Sequence, residues 1–292
     1  MSQKQHIEQY HLHKLHPEKM QFEVYDLHAY RNKNVEKAAI PHSHSYYQII
    51  WFFEQGGSHL VDFTSYDIHA NTVFFVNKDQ IHAFDQNLDA QGYLIHFNES
   101  FFMQDDMDVF LKYNIFNIQQ KPCYSIDDET VSITKSHVDL ILKERAKSFS
   151  FGHEDAVRFL LKSLLINLER VSRTNVHEKL EINNQYVLQF VRYQALIEER
   201  FKETLSVTEY AALLNISTKT LSTVTKSIVN KTPSQLIVER TMLEAKRLLK
   251  FTSLQVGEIA FRLGFEDDSY FIKYFKKHVG TSPRSFRNDL MR

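Results

Sequence analysis

Cysteine is almost absent from the 292 residues: Cys123 stands alone, so no disulfide can close within the chain, and an ordinary thiol is the expected reading. Long apolar runs are absent too. The longest, from Tyr46 to Phe53, is interrupted by Gln48 and falls far short of the about 20 apolar residues that a membrane helix needs. The opening MSQKQHIEQYHLHKLHPEKM has no apolar segment of the kind that marks a signal peptide. These absences predict a cytosolic protein with no membrane partner.

An excess of one charge is also missing from the whole, since the net charge is −1. The halves nevertheless differ. From Gln185 to Arg292 there are 17 Lys and Arg against 11 Asp and Glu, a balance of +6, which leaves −7 for the rest. An acidic front and a basic back suggest one domain for a polyanion and another for something else. The length suits two domains, each with its own core.

What is present is clearest from Leu254 to Phe286, LQVGEIAFRLGFEDDSYFIKYFKKHVGTSPRSF. Val256, Ile259, Ala260 and Leu263 recur at helical spacing, Gly264 stops that helix, and Tyr270, Phe271, Tyr274 and Phe275 begin another. Two short helices about a tight turn make a helix-turn-helix. The second carries Ser269, Lys273, Lys276 and Lys277, groups suited to phosphates and base edges in a major groove.

The unit is repeated. Ser206 and Glu209 form a capping-box signature before Tyr210, Ala211 and Leu214, the chain turns at Asn215-Ile216-Ser217, and a second helix runs from Thr218 to about Val229. Val207, Ala211 and Leu214 match Val256, Ala260 and Leu263 at a separation of 49; Lys226 and Pro233 match Lys276 and Pro283 at 50. Thr232, Pro233 and Gln235 start a helix between the units that runs to about Lys250. Asn230 is the residue after glycine best able to take a left-handed turn. Asp267 and Asp268 are expected to cap their helix.

Glu258-Ile259-Ala260, Gly264-Phe265, Ser269-Tyr270-Phe271, Phe275-Lys276-Lys277, Gly280, Pro283 and Arg287 stand in an order that resembles the second helix-turn-helix of AraC/XylS-type transcription regulators. The resemblance implies a C-terminal DNA-binding domain over 185–292, with helix-turn-helix motifs at 206–229 and 254–278 held apart by the linker helix. Its DNA-contacting candidates are Thr218, Lys219, Thr220, Ser222, Thr223 and Lys226 in the first unit, and Ser269, Tyr270, Lys273 and Lys276 in the second. Thr223 and Lys273 stand where Arg is common, and Thr225 where an aromatic is.

The front half reads differently. From Phe22 to Phe97, FEVYDLHAY, YYQIIWFF, SHLVDF, TVFFV and YLIHF have strand texture without intervening helical patterns, which suggests a barrel or double-sheet fold. His42 and His44, followed by Gln48 and later His82, resemble the first motif of cupins, with Gln48 in place of the metal-binding Glu. Alternation puts His42, His44, Gln48, Ile50 and Phe52 on one face. Three readings stay open for the polar residues: effector-pocket lining, satisfied barrel histidines, or a metal site that a neutral amide would weaken. The family implies an effector pocket lined by His42, His44, Gln48, Phe52 and His82, with no cofactor.

After Pro122 the texture turns helical. Ile133, His137, Leu140, Ile141 and Ala146 make one stripe, and Val157, Leu160, Leu161, Leu164, Leu165 and Leu168 another, broken by Gly152. In this family the equivalent helices pair two subunits, which implies a homodimer; packing on the chain's own barrel is the other reading.

The expected organisation is therefore α+β and multidomain: a polar tail over 1–20, a cupin-like barrel over 21–121, helices over 122–172, a linker over 173–184, and the all-α DNA-binding domain. The implied protein is a cytoplasmic activator that is not an enzyme, with promoter DNA, a small-molecule effector and RNA polymerase as partners. A metal-dependent cupin enzyme fused to a DNA-binding domain and a ligand-independent regulator are the alternatives.

Overall fold

The computed structural model describes residues 7–16, 18–86, 88–102, 113–116, 121–147, 150–174 and 184–289. The expected linker at 173–184 and the first six residues of the tail lie almost wholly outside them. Two compact units divide at residues 178 and 179.

Among the described residues the front unit holds ten strands. β2 (Phe22–Asp26), β4 (Tyr47–Phe52), β7 (Thr72–Val76), β9 (Gly92–Phe97) and β10 (Cys123–Ser125) form an antiparallel sheet in the order β10-β7-β4-β9-β2. β5 (Ser58–Val61), β6 (Thr64–Asp67) and β8 (His82–Phe84) form a second, in the order β6-β5-β8. β1 (Gln9–Tyr10) runs parallel to β3 (Ser43–His44). Part of the expected polar tail is thus a strand. Among the described residues the three sheets do not join into a closed hydrogen-bonded barrel of the cupin-like kind expected.

The central sheet is buried on both faces, which is why β4 and β7 read as nearly continuous apolar runs rather than alternating ones. Ile50, Phe52, Phe74, Val76 and Leu94 share a core with Val61, Ile68 and Phe84. Ile49, Trp51, Val73, Phe75, Ile95 and Phe97 face two helices, α2 (Asp128–Arg145) and α3 (His153–Thr174), through Val138, Ile141, Val157, Leu161, Leu164, Leu165 and Leu168. The leucine stripe of α3 is covered by its own unit. Ile133, Leu140 and Leu142 on α2 and Phe159 on α3 stay exposed.

One element contradicts the all-strand reading of Phe22 to Phe97. Leu27–Ala39 is a helix, α1, capped by Asp26, whose side chain accepts from Ala29 N at 2.8 Å. Its internal signals are weak, with a non-helical Asn34 in the middle. Tertiary contacts carry it: Leu27 is fully buried, and the buried Arg31 guanidinium donates to the carbonyls of Leu88, Asp85 and Gln86.

The back unit is helical: α4 (Asn184–Arg200), α5 (Val207–Leu213), α6 (Thr218–Val229), α7 (Pro233–Phe251), α8 (Val256–Arg262), α9 (Asp268–Val279) and α10 (Pro283–Asp289). Phe190, Tyr193, Tyr210, Leu221, Val224, Ile259, Leu263, Phe271 and Phe275 meet in one core. Each buried aromatic of this kind contributes roughly 1.5–3 kcal/mol. Arg240 of α7 joins α4 by ion-pairing with Glu198 at 2.7 Å while its guanidinium lies 4.0 Å over the Phe201 ring. Among the described residues no helix is long and apolar enough to cross a membrane.

Candidate nucleic-acid interface and histidine cluster

In the back unit the same device is built twice. Ser206 caps α5 in a reciprocal box with Glu209, and at the start of α8 the Glu258 carboxylate likewise reaches back to accept from Gln255 N at 2.7 Å. The turns that follow place Asn215 at φ 55° and Gly264 at φ 82°, and the two longer helices end at Asn230, φ 52°, and Gly280, φ 88°. Asparagine and glycine therefore occupy equivalent left-handed positions in the two copies. At Gly264 no other residue fits, because a Cβ would lie 1.9 Å from the Lys202 carbonyl oxygen.

α6 and α9 each bury one face and present the other. On α6, Thr218, Lys219, Thr223 and Lys226 are exposed, and Thr220 and Ser222 are half-buried. Two of these hydroxyls are already engaged: Thr220 with the capping Ser217 Oγ at 2.8 Å, and Thr223, which donates to the Lys219 carbonyl at 3.0 Å. On α9, Ser269, Tyr270, Lys273 and Lys276 are all exposed, opposite Phe271 and Phe275 at 0% exposure. Asp267 accepts from Ser269 N at 2.9 Å and from Tyr270 N at 3.1 Å, so it caps the helix, as its position suggested. Lysines lie exposed along both helices, Lys219 and Lys226 on α6 and Lys273 and Lys276 on α9.

α7 separates the pairs. Thr232 caps it in a box with Gln235, Pro233 sits in the first turn, and 19 residues follow, about 28 Å of continuous helix.

The profile of a family described as a helix-turn-helix domain matches residues 210–289. Those residues are a helix-turn-helix domain. Over 259 residues the chain is 26% identical to the HTH-type transcriptional activator RhaS of Enterobacter sp. (strain 638), covering 86% of this chain and 88% of that one. The RhaS of Salmonella schwarzengrund (strain CVM19633) is 27% identical over 257 residues, with 86% and 88% covered. Among solved structures, the C-terminal domain of the two-component response regulator yesN from Fusobacterium nucleatum subsp. nucleatum ATCC 25586 is 32% identical. It covers 32% of this chain and 93% of its own, with a TM-score of 0.31. The matched domain and the RhaS relatives support a DNA-binding transcription regulator of the AraC/XylS type.

The front unit brings its predicted polar residues together in the interior. His42 and His82 are joined by two backbone hydrogen bonds, 3.1 and 2.9 Å, and the ligand nitrogens of His42, His44 and His82 lie within 4.8 Å of one another. Two further histidines, which the spacing of His42, His44 and His82 did not reveal, complete the group. His59 Nε2 lies 2.9 Å from His82 Nδ1, and His82 Nε2 lies 3.1 Å from His44 Nδ1. The Gln48 amide nitrogen donates to His96 Nε2 at 2.8 Å. The alternation of GYLIHF held a signal for His96, since it pairs directly with Gln48, but the pairing of β4 with β9 supplies the contact. Tyr46 stacks on His44 and lies beside His96, and the Tyr10 ring packs on His42. Phe52 belongs to the apolar core next to the group, against Phe74 and Phe84.

All five imidazoles are at most 5% exposed. Burial pushes His42 down and holds His44 and His82 well below the usual histidine range, with neighbouring imidazoles adding to the effect. It takes His59 and His96 down to about 3. The cluster is neutral at physiological pH. Burial also keeps the Tyr46 phenol protonated.

The fit to a metal ion can be tested on the hydrogen bonds. His42 Nδ1 donates to the Ile40 carbonyl at 2.8 Å, so its Nε2 carries the lone pair. His82 can likewise donate from Nδ1 to His59, leaving Nε2 for an ion. Nitrogens bound to one ion at about 2.0–2.1 Å would sit roughly 3 Å from each other, comparable to the 3.1 Å between His82 and His44. Three neutral imidazoles fit a borderline transition ion. The Gln48 amide nitrogen is committed to His96, so only its oxygen is open to join that set. Two buried polar atoms in the group have no partner, His59 Nδ1 and Gln48 Oε1.

Proposed function

We propose that this chain is a one-component transcription activator that binds promoter DNA through α6 and α9. The observation that carries the reading is the duplicated helix pair, in which each copy exposes a polar, lysine-bearing face from its second helix. Two recognition helices held apart by a continuous helix suit successive major grooves about 34 Å apart on one side of a duplex. The contacting residues are Thr218, Lys219, Ser222, Thr223 and Lys226 with Ser269, Tyr270, Lys273 and Lys276; Thr220 contributes through its cap. RNA polymerase is the partner that an activator requires. Two copies associate through the exposed Ile133, Leu140 and Phe159 of the front helices. The chain acts in the cytoplasm and has no catalytic step.

Control lies in the front unit, where His42, His44, His82 and Gln48, with Phe52 behind them, bind a small-molecule effector. The unpartnered His59 Nδ1 and Gln48 Oε1 support a ligand at this place, since buried polar atoms without partners are costly. Replacing His44 and His82 with Ala is expected to abolish effector response in a promoter reporter while DNA affinity stays within about twofold; an unchanged response overturns the assignment. The same cluster favours a second reading, a transition-metal ion as the signal, on the strength of the three ligand nitrogens within 4.8 Å. Elemental analysis with native mass spectrometry of the freshly purified chain separates the two: stoichiometric metal selects the ion, and an organic mass selects the effector.

A further inference from the structure

The two reading helices differ at one position in a way that bears on sequence preference. At the repeat separation of 50, Lys219, Ser222, Thr223 and Lys226 of α6 correspond to Ser269, Ile272, Lys273 and Lys276 of α9. Three of the four pairs exchange polar or cationic groups. At the fourth, the first helix carries a hydroxyl and the second a branched hydrocarbon.

Ile272 is 36% exposed on the surface of α9. Helical spacing sets it beside Ser269 and Lys276 at i−3 and i+4. It does not join Phe271 and Phe275, which hold the helix to the core. A β-branched residue is also a weaker helix former than lysine or glutamate at a solvated position. The major groove presents one apolar group to such a side chain, the 5-methyl of thymine.

We infer that Ile272 contacts a thymine methyl, so the second reader requires a thymine at a position where the first reader, with Ser222, does not. This rests on the DNA-binding reading above. The neighbouring Ser269, Lys273 and Lys276 set register on the phosphates and base edges, and Ile272 adds discrimination that carries no charge and therefore no salt dependence.

The test uses the full chain. Sites are selected from a random DNA pool, and each thymine of the selected site is replaced singly by uracil, which removes the methyl and keeps the base pair. One replacement is expected to weaken binding about fourfold, the effect of one buried methyl-sized group. Ile272→Ala is expected to lose a similar factor on thymine DNA and to be indifferent to that replacement. Ile272→Ser, which copies the first reader at a surface position, is expected to behave in the same way. If no replacement has an effect that disappears in both variants, the inference fails while DNA binding stands. If the pool yields no bound DNA, the DNA-binding reading fails and this inference with it.

Discussion

The front unit keeps its candidate residues inside and the back unit keeps them outside. Five imidazoles in the front are nearly inaccessible and neutral, held by one another, by Gln48 and by a backbone carbonyl. On α9 the candidate serine, tyrosine and lysines are exposed. The proposed targets differ in size in the same sense. A duplex is read by a convex helix face that needs only charge and reach, whereas a small ligand is recognised by displacing protein contacts in a desolvated interior. The histidines divide in the same way: the front unit buries five imidazoles, whereas His278, the one histidine from Asn184 onward, is exposed.

Acid should expose this contrast most strongly. An unfolded histidine takes a proton near pH 6.5, but His59 and His96 in the folded unit resist it down to about 3. Their contribution is fully present above pH 6.5 and drains as the pH falls towards 3, by up to about 1.4 kcal/mol per pH unit for each. The back unit, with His278 as its one histidine from Asn184 onward, is expected to keep its stability over the same interval. Thermal unfolding between pH 7 and 5, followed at Trp51 for the front unit and by helical signal for the back, checks it; parallel loss in both would remove the distinction.

A smaller effect should fall on the back unit alone. Gly264→Ala places a Cβ against the Lys202 carbonyl at φ 82°, and a loss of about 3 kcal/mol is expected from backbone displacement added to the left-handed conformation. The equivalent Asn215→Ala in the first copy meets only the conformational part and should lose about 1–2 kcal/mol. Chemical denaturation of the two variants measures the difference. Smallest in energy are the lysines: Lys273→Ala and Lys276→Ala are each expected to lower the slope of log affinity against log salt by about 0.9. Slopes equal to the parent would show that these side chains do not sit on phosphates.

Much of the back unit was legible because its signals are local. Capping boxes at Ser206 and Thr232, the stop at Gly264 and the left-handed Asn230 act within four residues of themselves, and each appears where its chemistry predicts. The front unit was legible only in its strands. The sequence of α1 reads as strand because its few helix signals are outweighed by β-rich neighbours, and what sustains the helix, Arg31 bound to carbonyls near Leu88, is more than 50 residues away. The stripe of α3 announced burial but not its partner, which turns out to be the Ile49 and Phe75 face of its own sheet.

By itself, then, the sequence determined the duplicated helix-turn-helix, its caps and its lysine-bearing faces, since periodicity and capping are properties of neighbouring residues. It also marked His42, His44 and His82 as a set through their spacing and resemblance. Only the tertiary structure decided that His59 and His96 join them, that Gln48 turns to His96, and that Ile272 stands exposed on a face of lysines. Those outcomes depend on strand register and helix packing between residues far apart in the chain, where no local preference reaches.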